Sequence, residues 1–171
     1  MNERIGLVTI GGNPVTLLGN EVKVGDAAPD FTAVGNDMNS VRLSQFKGKV
    51  VVISSVHSLD TAVCNVETRR FNTEAAKLGP DVVILTVSMD LPFAQKRWCG
   101  AAGIDRVITV SDHRDASFGI GYGVLIKDLR LLARAVFVVD RQGIIRYIQL
   151  VKETGTEPDY APVLKAAKDI Q

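Results

Sequence analysis

The spacing of apolar residues changes period along the chain. Residues 4–18 alternate about Gly11-Gly12-Asn13-Pro14, with Ile5, Leu7 and Thr9 on one side and Val15, Leu17 and Leu18 on the other, which predicts a β-hairpin. Val24-Gly25-Asp26-Ala27-Ala28-Pro29-Asp30-Phe31 then interrupts regular structure, and Phe31 is placed to anchor a connecting loop on the core. Residues 41–46, ending at Lys47-Gly48-Lys49, read as a short connection with one helical turn at 44–46. From Lys49 onward, apolar runs alternate with amphipathic segments. The pattern predicts strands over 49–56, 82–88 and 106–110 and helices over 61–78 and 91–100. Helix 61–78 gathers Val63, Phe71, Ala75 and Leu78 near one face, leaves Asn65, Thr68, Arg69, Asn72 and Lys77 outside it, and stops at Gly79-Pro80.

Two further apolar runs, 131–139 and 143–151, are joined by a connection at Asp140-Arg141-Gln142-Gly143 too short for a crossover, so they form an antiparallel pair. A helix over about 160–170 closes the chain. Strand–helix alternation makes part of the sheet parallel and the late hairpin makes it mixed. The expectation is an α/β fold with the thioredoxin-like layout: a mixed central sheet flanked by helices, an N-terminal hairpin over about 4–18, and one domain across residues 1–171. A doubly wound nucleotide-binding fold needs a Gly-rich turn after a strand. Gly119-Ile120-Gly121-Tyr122-Gly123 neither supplies G-x-G-x-x-G nor follows a convincing strand.

Composition narrows the function classes. Twenty basic against nineteen acidic side chains give no electrostatic reason to expect nucleic acid or an anionic membrane as partner. The first residues lack a signal-peptide pattern and no apolar run reaches membrane-spanning length, so a cytoplasmic protein is expected. There are only two cysteines, Cys64 and Cys99. In a reducing compartment two cysteines do not make a structural disulfide scaffold, and they cannot hold zinc without His57 and His113. A transient, catalytic disulfide fits such a compartment.

Cys64 falls in the first turn of helix 61–78, after a buried strand. Unpaired amides and the positive end of the helix dipole there favour thiolate over thiol, and the thiolate is the nucleophile. The competing reading is that Cys64 is a small core hydrophobe, as free cysteines often are. Trp98, beside Cys99, reads as a packing residue, and His113, within Ser111-Asp112-His113-Arg114-Asp115, as a solvated loop residue.

Four separated segments resemble the thiol peroxidases, the peroxiredoxin subgroup that uses two cysteines of one chain. Residues 9–17 and 24–31 are similar to the subgroup's N-terminal hairpin and entry loop. Ser58-Leu59-Asp60-Thr61-Ala62-Val63-Cys64, followed by Arg69-Arg70-Phe71-Asn72, resembles the peroxidatic segment. Phe93 to Gly100 resembles the resolving-cysteine helix, and Arg134 to Asp140 the strand bearing the active-site arginine. The resemblance implies that Cys64 attacks a peroxide and becomes a sulfenic acid, which Cys99 resolves as an intrachain disulfide. It implies that Arg134 stabilises the thiolate and the peroxide oxygens with its fixed, permanently charged donors. It places the Thr61 hydroxyl against the sulfur; the same hydroxyl could instead cap the helix at the Cys64 N–H. Without the resemblance, Arg134 would read as a surface arginine on an edge strand.

Cys64 and Cys99 close a loop of about 36 residues, worth up to about 4 kcal/mol of denatured-state entropy. Because they lie in different helices, bonding requires local unwinding. The family scheme uses no metal, haem or flavin, takes hydrogen peroxide or alkyl hydroperoxides, is recycled by thioredoxin, and operates in a homodimer. One position departs from the pattern: the family has proline seven residues before the peroxidatic cysteine, and His57 stands there. Proline would fix the loop, whereas histidine restores an N–H and adds a titratable ring. This leaves open a redox sensor or a catalytically impaired thioredoxin-fold protein as the rival reading. A thiol-disulfide oxidoreductase is disfavoured by the lack of C-x-x-C.

Overall fold

The computed structural model describes residues 1–171. The elements run β1 (Glu3–Ile10), β2 (Asn13–Leu18), β3 (Thr32–Gly35), β4 (Ser40–Arg42), a single 3-10 turn (Leu43–Phe46), β5 (Val50–Ser55), α1 (Ala62–Leu78), β6 (Val82–Ser88), α2 (Pro92–Ala102), β7 (Ile108–Ser111), α3 (Ser117–Gly121), β8 (Leu125–Ile126), β9 (Leu131–Leu132), β10 (Ala135–Val139), β11 (Ile145–Leu150) and α4 (Tyr160–Asp169). A seven-stranded sheet has the order β11-β10-β5-β6-β7-β3-β4, and a four-stranded sheet the order β1-β2-β8-β9. In the large sheet β5, β6 and β7 are parallel neighbours, while β10 lies antiparallel to both β5 and β11. The sheet is mixed, as the alternating pattern and the late hairpin require, and the fold is the thioredoxin-like one.

β5 and β10 are buried on both faces, which is why they read as unbroken apolar runs. Alternate residues serve different layers. Val51 and Ile53 of β5, with Phe137 and Val139 of β10, pack against Leu17, Phe118, Tyr122, Leu125 and Leu132. Val50 and Val52, with Val136 and Val138, pack against Phe71 and Leu78 of α1 and Val163 and Ala167 of α4. The same alternation sends Ser54, at the end of β5, toward α1 and Ser55 to the opposite face, where its hydroxyl donates to the Ala133 carbonyl at 2.7 Å. The first hairpin turns at Gly11 and Gly12, both in the left-handed region with φ of 56° and 81°, which a two-residue hairpin loop of this hand demands.

Two sequence expectations change. The run 131–139 is two strands, not one. Leu131 and Leu132 belong to the small sheet, Ala135–Val139 to the large one, and the chain crosses between sheets at Ala133 and Arg134. Thr68 lies on the inner face of α1 rather than outside it, fully buried beside an equally buried Glu67. The inner face of the first two turns of α1 is polar because it faces Ser54 and Arg134 rather than the valine layer. The glycine-rich stretch 119–123 falls in and after α3, whose start is capped by the Asp112 carboxylate, bonded by the amides of Phe118 at 3.0 Å and Gly119 at 2.8 Å. A Cβ at Gly119 would lie 2.7 Å from Leu132 Cδ2, so packing against the small sheet accounts for that glycine.

Candidate active site

Cys64 is the third residue of α1 and is fully buried, packed with Val56, Leu59 and Trp98. Both cysteines are free thiols. Arg134 reaches Cys64 from the crossing between the sheets: its Nη2 lies 3.4 Å from the Cys64 sulfur. Three of its four other N–H groups are committed, and the second N–H of Nη1 has no partner. Nη1 donates to the Glu67 carboxylate, and Nε and Nη2 donate to the Thr154 carbonyl at 3.1 and 2.8 Å. With a side chain only 2% exposed, Arg134 is no surface residue on an edge strand. The buried charge is tolerated because each guanidinium nitrogen has a partner.

Glu67, one turn after Cys64, had no signal in the sequence. Its carboxylate also accepts from Ser54 Oγ at 2.7 Å, so β5 and α1 together orient Arg134. Burial pushes the Glu67 carboxyl above its ordinary range, against the pull of Arg134 and Ser54. Burial works against the charge of Arg134, but Glu67 and the Cys64 sulfur outweigh it and hold the guanidinium above its usual value. The other clamp, the Thr154 carbonyl, is tied to the N-terminal hairpin. The Thr154 amide donates to the Thr9 carbonyl at 3.0 Å. Neighbouring Glu153 accepts from Thr9 Oγ1 at 2.7 Å and from the Gly11 and Gly12 amides at 3.1 and 3.0 Å. These donors, Thr9 foremost, hold the Glu153 carboxyl down at about 2. The hairpin therefore buttresses Arg134 from behind.

Thr61 is the N-cap residue of α1 but uses its side chain elsewhere. Its exposed hydroxyl donates to the Ser58 carbonyl at 2.8 Å, and it bonds neither the sulfur nor an amide of the first turn. Neither sequence reading of the hydroxyl is realised in this state. The turn amides around Cys64 are thus left for an incoming group.

The loop before α1 is fixed by a residue the sequence did not single out. The Asp90 carboxylate, between β6 and α2, accepts from Ser58 Oγ at 2.6 Å, the Leu59 amide at 2.9 Å and Ser88 Oγ at 2.7 Å. These bonds tie the loop where the family pattern uses proline. The backbone N–H of His57 makes no hydrogen bond, and both ring nitrogens are buried without a partner of good geometry. Burial, reinforced by Arg134, pushes His57 below its ordinary value, opposed by the Leu132 backbone and the Glu153 carboxylate. His57 is therefore neutral at neutral pH.

Cys99 lies in the last turn of α2, half-buried against the edge of the Cys64 cluster. Its sulfur is 3.3 Å from Thr109 Oγ1 on β7 and 4.0 Å from Asn36 Nδ2. Arg69 joins the two cysteine helices: Nη1 donates to the Ala102 carbonyl at 3.1 Å and the guanidinium lies 5.9 Å from the Trp98 ring centre. Trp98 is 8% exposed and packs the two helices together. His113 Nδ1 is 2.8 Å from Ser111 Oγ in its loop, and no cluster of potential metal ligands is present. No helix is long and apolar enough to cross a membrane.

The chain that carries this buried thiol and its arginine has relatives among known proteins. The Redoxin family matches residues 23–164. A thiol peroxidase of Oceanobacillus iheyensis is 61% identical over 157 residues, 92% of this chain and 95% of that protein. One of Bacillus subtilis is 58% identical over 161 residues, 94% of this chain and 96% of that protein. The crystal structure of a peroxiredoxin-like protein from Aquifex aeolicus superposes with a TM-score of 0.91 at 43% identity, covering all of both chains. A thiol peroxidase structure from Chromobacterium violaceum, at 20% identity and a TM-score of 0.84, shares the fold. The chain belongs to the Redoxin family and, within it, to the thiol peroxidases.

Proposed function

We propose that this protein reduces peroxides by thiol chemistry, with Cys64 as the attacking residue and Cys99 as the resolving one. The observation that carries the reading is the 3.4 Å approach of Arg134 Nη2 to the Cys64 sulfur in a site where both groups are buried. The Cys64 thiolate attacks one peroxide oxygen; the S–O bond forms as the O–O bond breaks. The other oxygen leaves as alkoxide or hydroxide and takes up a proton, and the sulfur is oxidised to sulfenic acid. Arg134 supplies donors both to the sulfur and to the oxygens on which negative charge develops. Thr61 contributes its hydroxyl by turning from Ser58 toward the peroxide. Cys99 then attacks the sulfenic sulfur, the S–S bond replaces the S–O bond, and water is released.

Reduction by a thiol reductant of the thioredoxin type returns both thiols. A thioredoxin partner, a homodimeric assembly and a cytoplasmic setting complete the proposal, which needs no metal, haem or flavin. In the rival reading His57 impairs turnover and the protein senses peroxide without consuming it. The Asp90 bonds favour turnover, because they hold the loop that His57 would otherwise loosen. The test is mass spectrometry after one equivalent of peroxide, followed by peroxide consumption with a thioredoxin system. The expected product is one intrachain Cys64–Cys99 bond, and Cys64→Ser abolishes turnover. Unreacted thiols, or full activity in Cys64→Ser, would overturn the proposal; a single stoichiometric oxidation without turnover would establish the rival.

A further inference from the structure

The two sulfurs sit at opposite ends of helix dipoles. Cys64 is in the first turn of α1, where the field favours a negative sulfur. Cys99 is in the last turn of α2: its carbonyl accepts from the amides of Gly103 and Ile104, so it lies at the negative end, where a thiolate is disfavoured. Cys99 nonetheless has to act as a thiolate to attack a sulfenic acid. Its stabilisation must come from elsewhere. The polar atoms within reach are Thr109 Oγ1 at 3.3 Å and Asn36 Nδ2 at 4.0 Å.

These two side chains form a small relay. Asn36 Nδ2 lies 3.0 Å and Asn36 Oδ1 3.2 Å from Thr109 Oγ1. A threonine hydroxyl has one proton and can accept as well as donate. While Cys99 is a thiol, that proton can rest on Asn36 Oδ1. When Cys99 loses its own proton, the amide N–H of Asn36 occupies an acceptor position on Thr109 and the hydroxyl proton turns to the sulfur. Thr109 is 3% exposed, so the bond it gives is shielded from water.

We propose that Thr109 is a catalytic residue of the resolving step, donating its hydroxyl hydrogen to the Cys99 thiolate, and that Asn36 is the positioning residue that directs this donor. The inference rests on Cys99 being the resolving thiol. In that step the Cys99 thiolate attacks the Cys64 sulfenic sulfur and the hydroxide expelled takes the proton Cys99 gave up. Cys99 is oxidised and the sulfenic sulfur reduced. The charged groups around this corner are Lys96 on α2, Asp37 beside Asn36, Arg69 of α1, which bonds the Ala102 carbonyl and lies over Trp98, and the Arg97–Asp60 pair, 4.0 Å apart, between α2 and the loop before α1. Lys96 and Asp37 attract one another, which leaves the direct contact to the sulfur to neutral donors.

The test uses the full chain with Cys64→Ser, so that Cys99 is the only thiol, and follows its alkylation by iodoacetamide. Losing the donor lowers the thiolate fraction but makes the remaining thiolate more nucleophilic, which offsets about half of the loss on a logarithmic scale. Thr109→Val should therefore alkylate roughly threefold more slowly at neutral pH and as fast or faster in strong alkali. Thr109→Ser should restore the parent rates. Asn36→Leu should shift them in the same direction as Thr109→Val and carries the test alone if that variant fails to fold. With both cysteines present, disulfide formation should slow by a similar factor and trapping of Cys64 sulfenic acid by dimedone should rise. Equal rates in parent and variants at neutral pH would sink the proposal, as would a slowing of the same size at both pH values, which reports access rather than ionisation. A crossover in the Cys64→Ser chain, together with no Cys64–Cys99 bond in the two-cysteine parent after peroxide, would uphold the hydrogen bond and overturn the resolving role instead.

Discussion

Arg134 Nη2 stands 3.4 Å from the Cys64 sulfur, and the rest of its guanidinium is held by Glu67 and the Thr154 carbonyl. A lysine at 134 would keep the charge but could not span sulfur, carboxylate and carbonyl at once. Arg134→Lys is expected to slow the oxidation of Cys64 by about 10²-fold, the scale of losing a preorganised donor. Stopped-flow oxidation by hydrogen peroxide measures it. A variant within threefold of the parent would mean that charge alone suffices and the fork does not matter.

Glu67 is the residue that makes a buried Arg134 affordable. Glu67→Gln leaves the guanidinium without its counter-charge, so the expected loss of stability is about 3 kcal/mol, read from urea unfolding. The same substitution should slow Cys64 oxidation, because the Thr154 carbonyl alone then holds Arg134 with no charged partner on Nη1. Loss of stability with an unchanged oxidation rate would reduce Glu67 to a folding element.

Asp90 replaces a covalent constraint with hydrogen bonds. Since the loop at 57–60 lacks the family proline, its order depends on the Ser58 hydroxyl and the Leu59 amide meeting one carboxylate. Asp90→Ala should cost about 2 to 3 kcal/mol, the value of bonds to a charged acceptor. It should also raise hydrogen exchange at the Leu59 amide above that of the β5 amides. If Leu59 stayed protected, the loop would be held by packing alone.

His57 gives a pH dependence whose sign is fixed by its burial. Its folded value lies below the ordinary 6.5, so between the two the unfolded chain binds more protons than the folded one. Stability from this residue is therefore present above about 6.5 and is lost as the pH falls through the folded value. Partial exposure makes the effect modest. Because the His57 N–H has no partner, His57→Pro removes no hydrogen bond. The expected result is that His57→Pro unfolds at a higher temperature than the parent in mild acid, with the gap narrowing toward neutral pH. Parallel melting curves across that range would show that the imidazole does not charge on unfolding.

Much of this site is legible in the residues, and the illegible parts share a cause. Cys64 at the start of α1 follows from an apolar run, a stop and an amphipathic segment, all local signals. The place of Arg134 does not. The apolar run 131–139 looks like one strand, and only the pairing of Leu132 with Leu125 and of Ala135 with Ser55 shows that it changes sheets there. Glu67 and Thr68 look solvated because a helix pattern counts polar residues as outward, whereas here the inward face meets Ser54 and Arg134. Thr154 contributes only a carbonyl, and its amide is bonded to the Thr9 carbonyl of the first hairpin, a relation between backbone groups that side-chain identity cannot encode. The five residues of α3 are too few for a period, and a side chain outside the helix, Asp112, caps them.

Arg69 offers the last prediction, since it fastens together the two helices that carry the cysteines. Cys64 packs with Trp98, while Arg69 ties α1 to the end of α2 through the Ala102 carbonyl and covers the Trp98 ring. Joining the two sulfurs in the proposed bond changes the packing of Cys64 on Trp98, so Trp98 fluorescence should change on oxidation and stay constant in Cys64→Ser. Removing the Arg69 tie lowers the cost of local unwinding without touching either sulfur. At an exposed position the tie is worth about 0.5 to 1 kcal/mol, which corresponds to a two- to fivefold effect. Arg69→Gln is therefore expected to speed disulfide formation two- to fivefold, followed by Trp98 fluorescence after one equivalent of peroxide. A slower rate would mean that Arg69 guides the approach of the helices instead of restraining it.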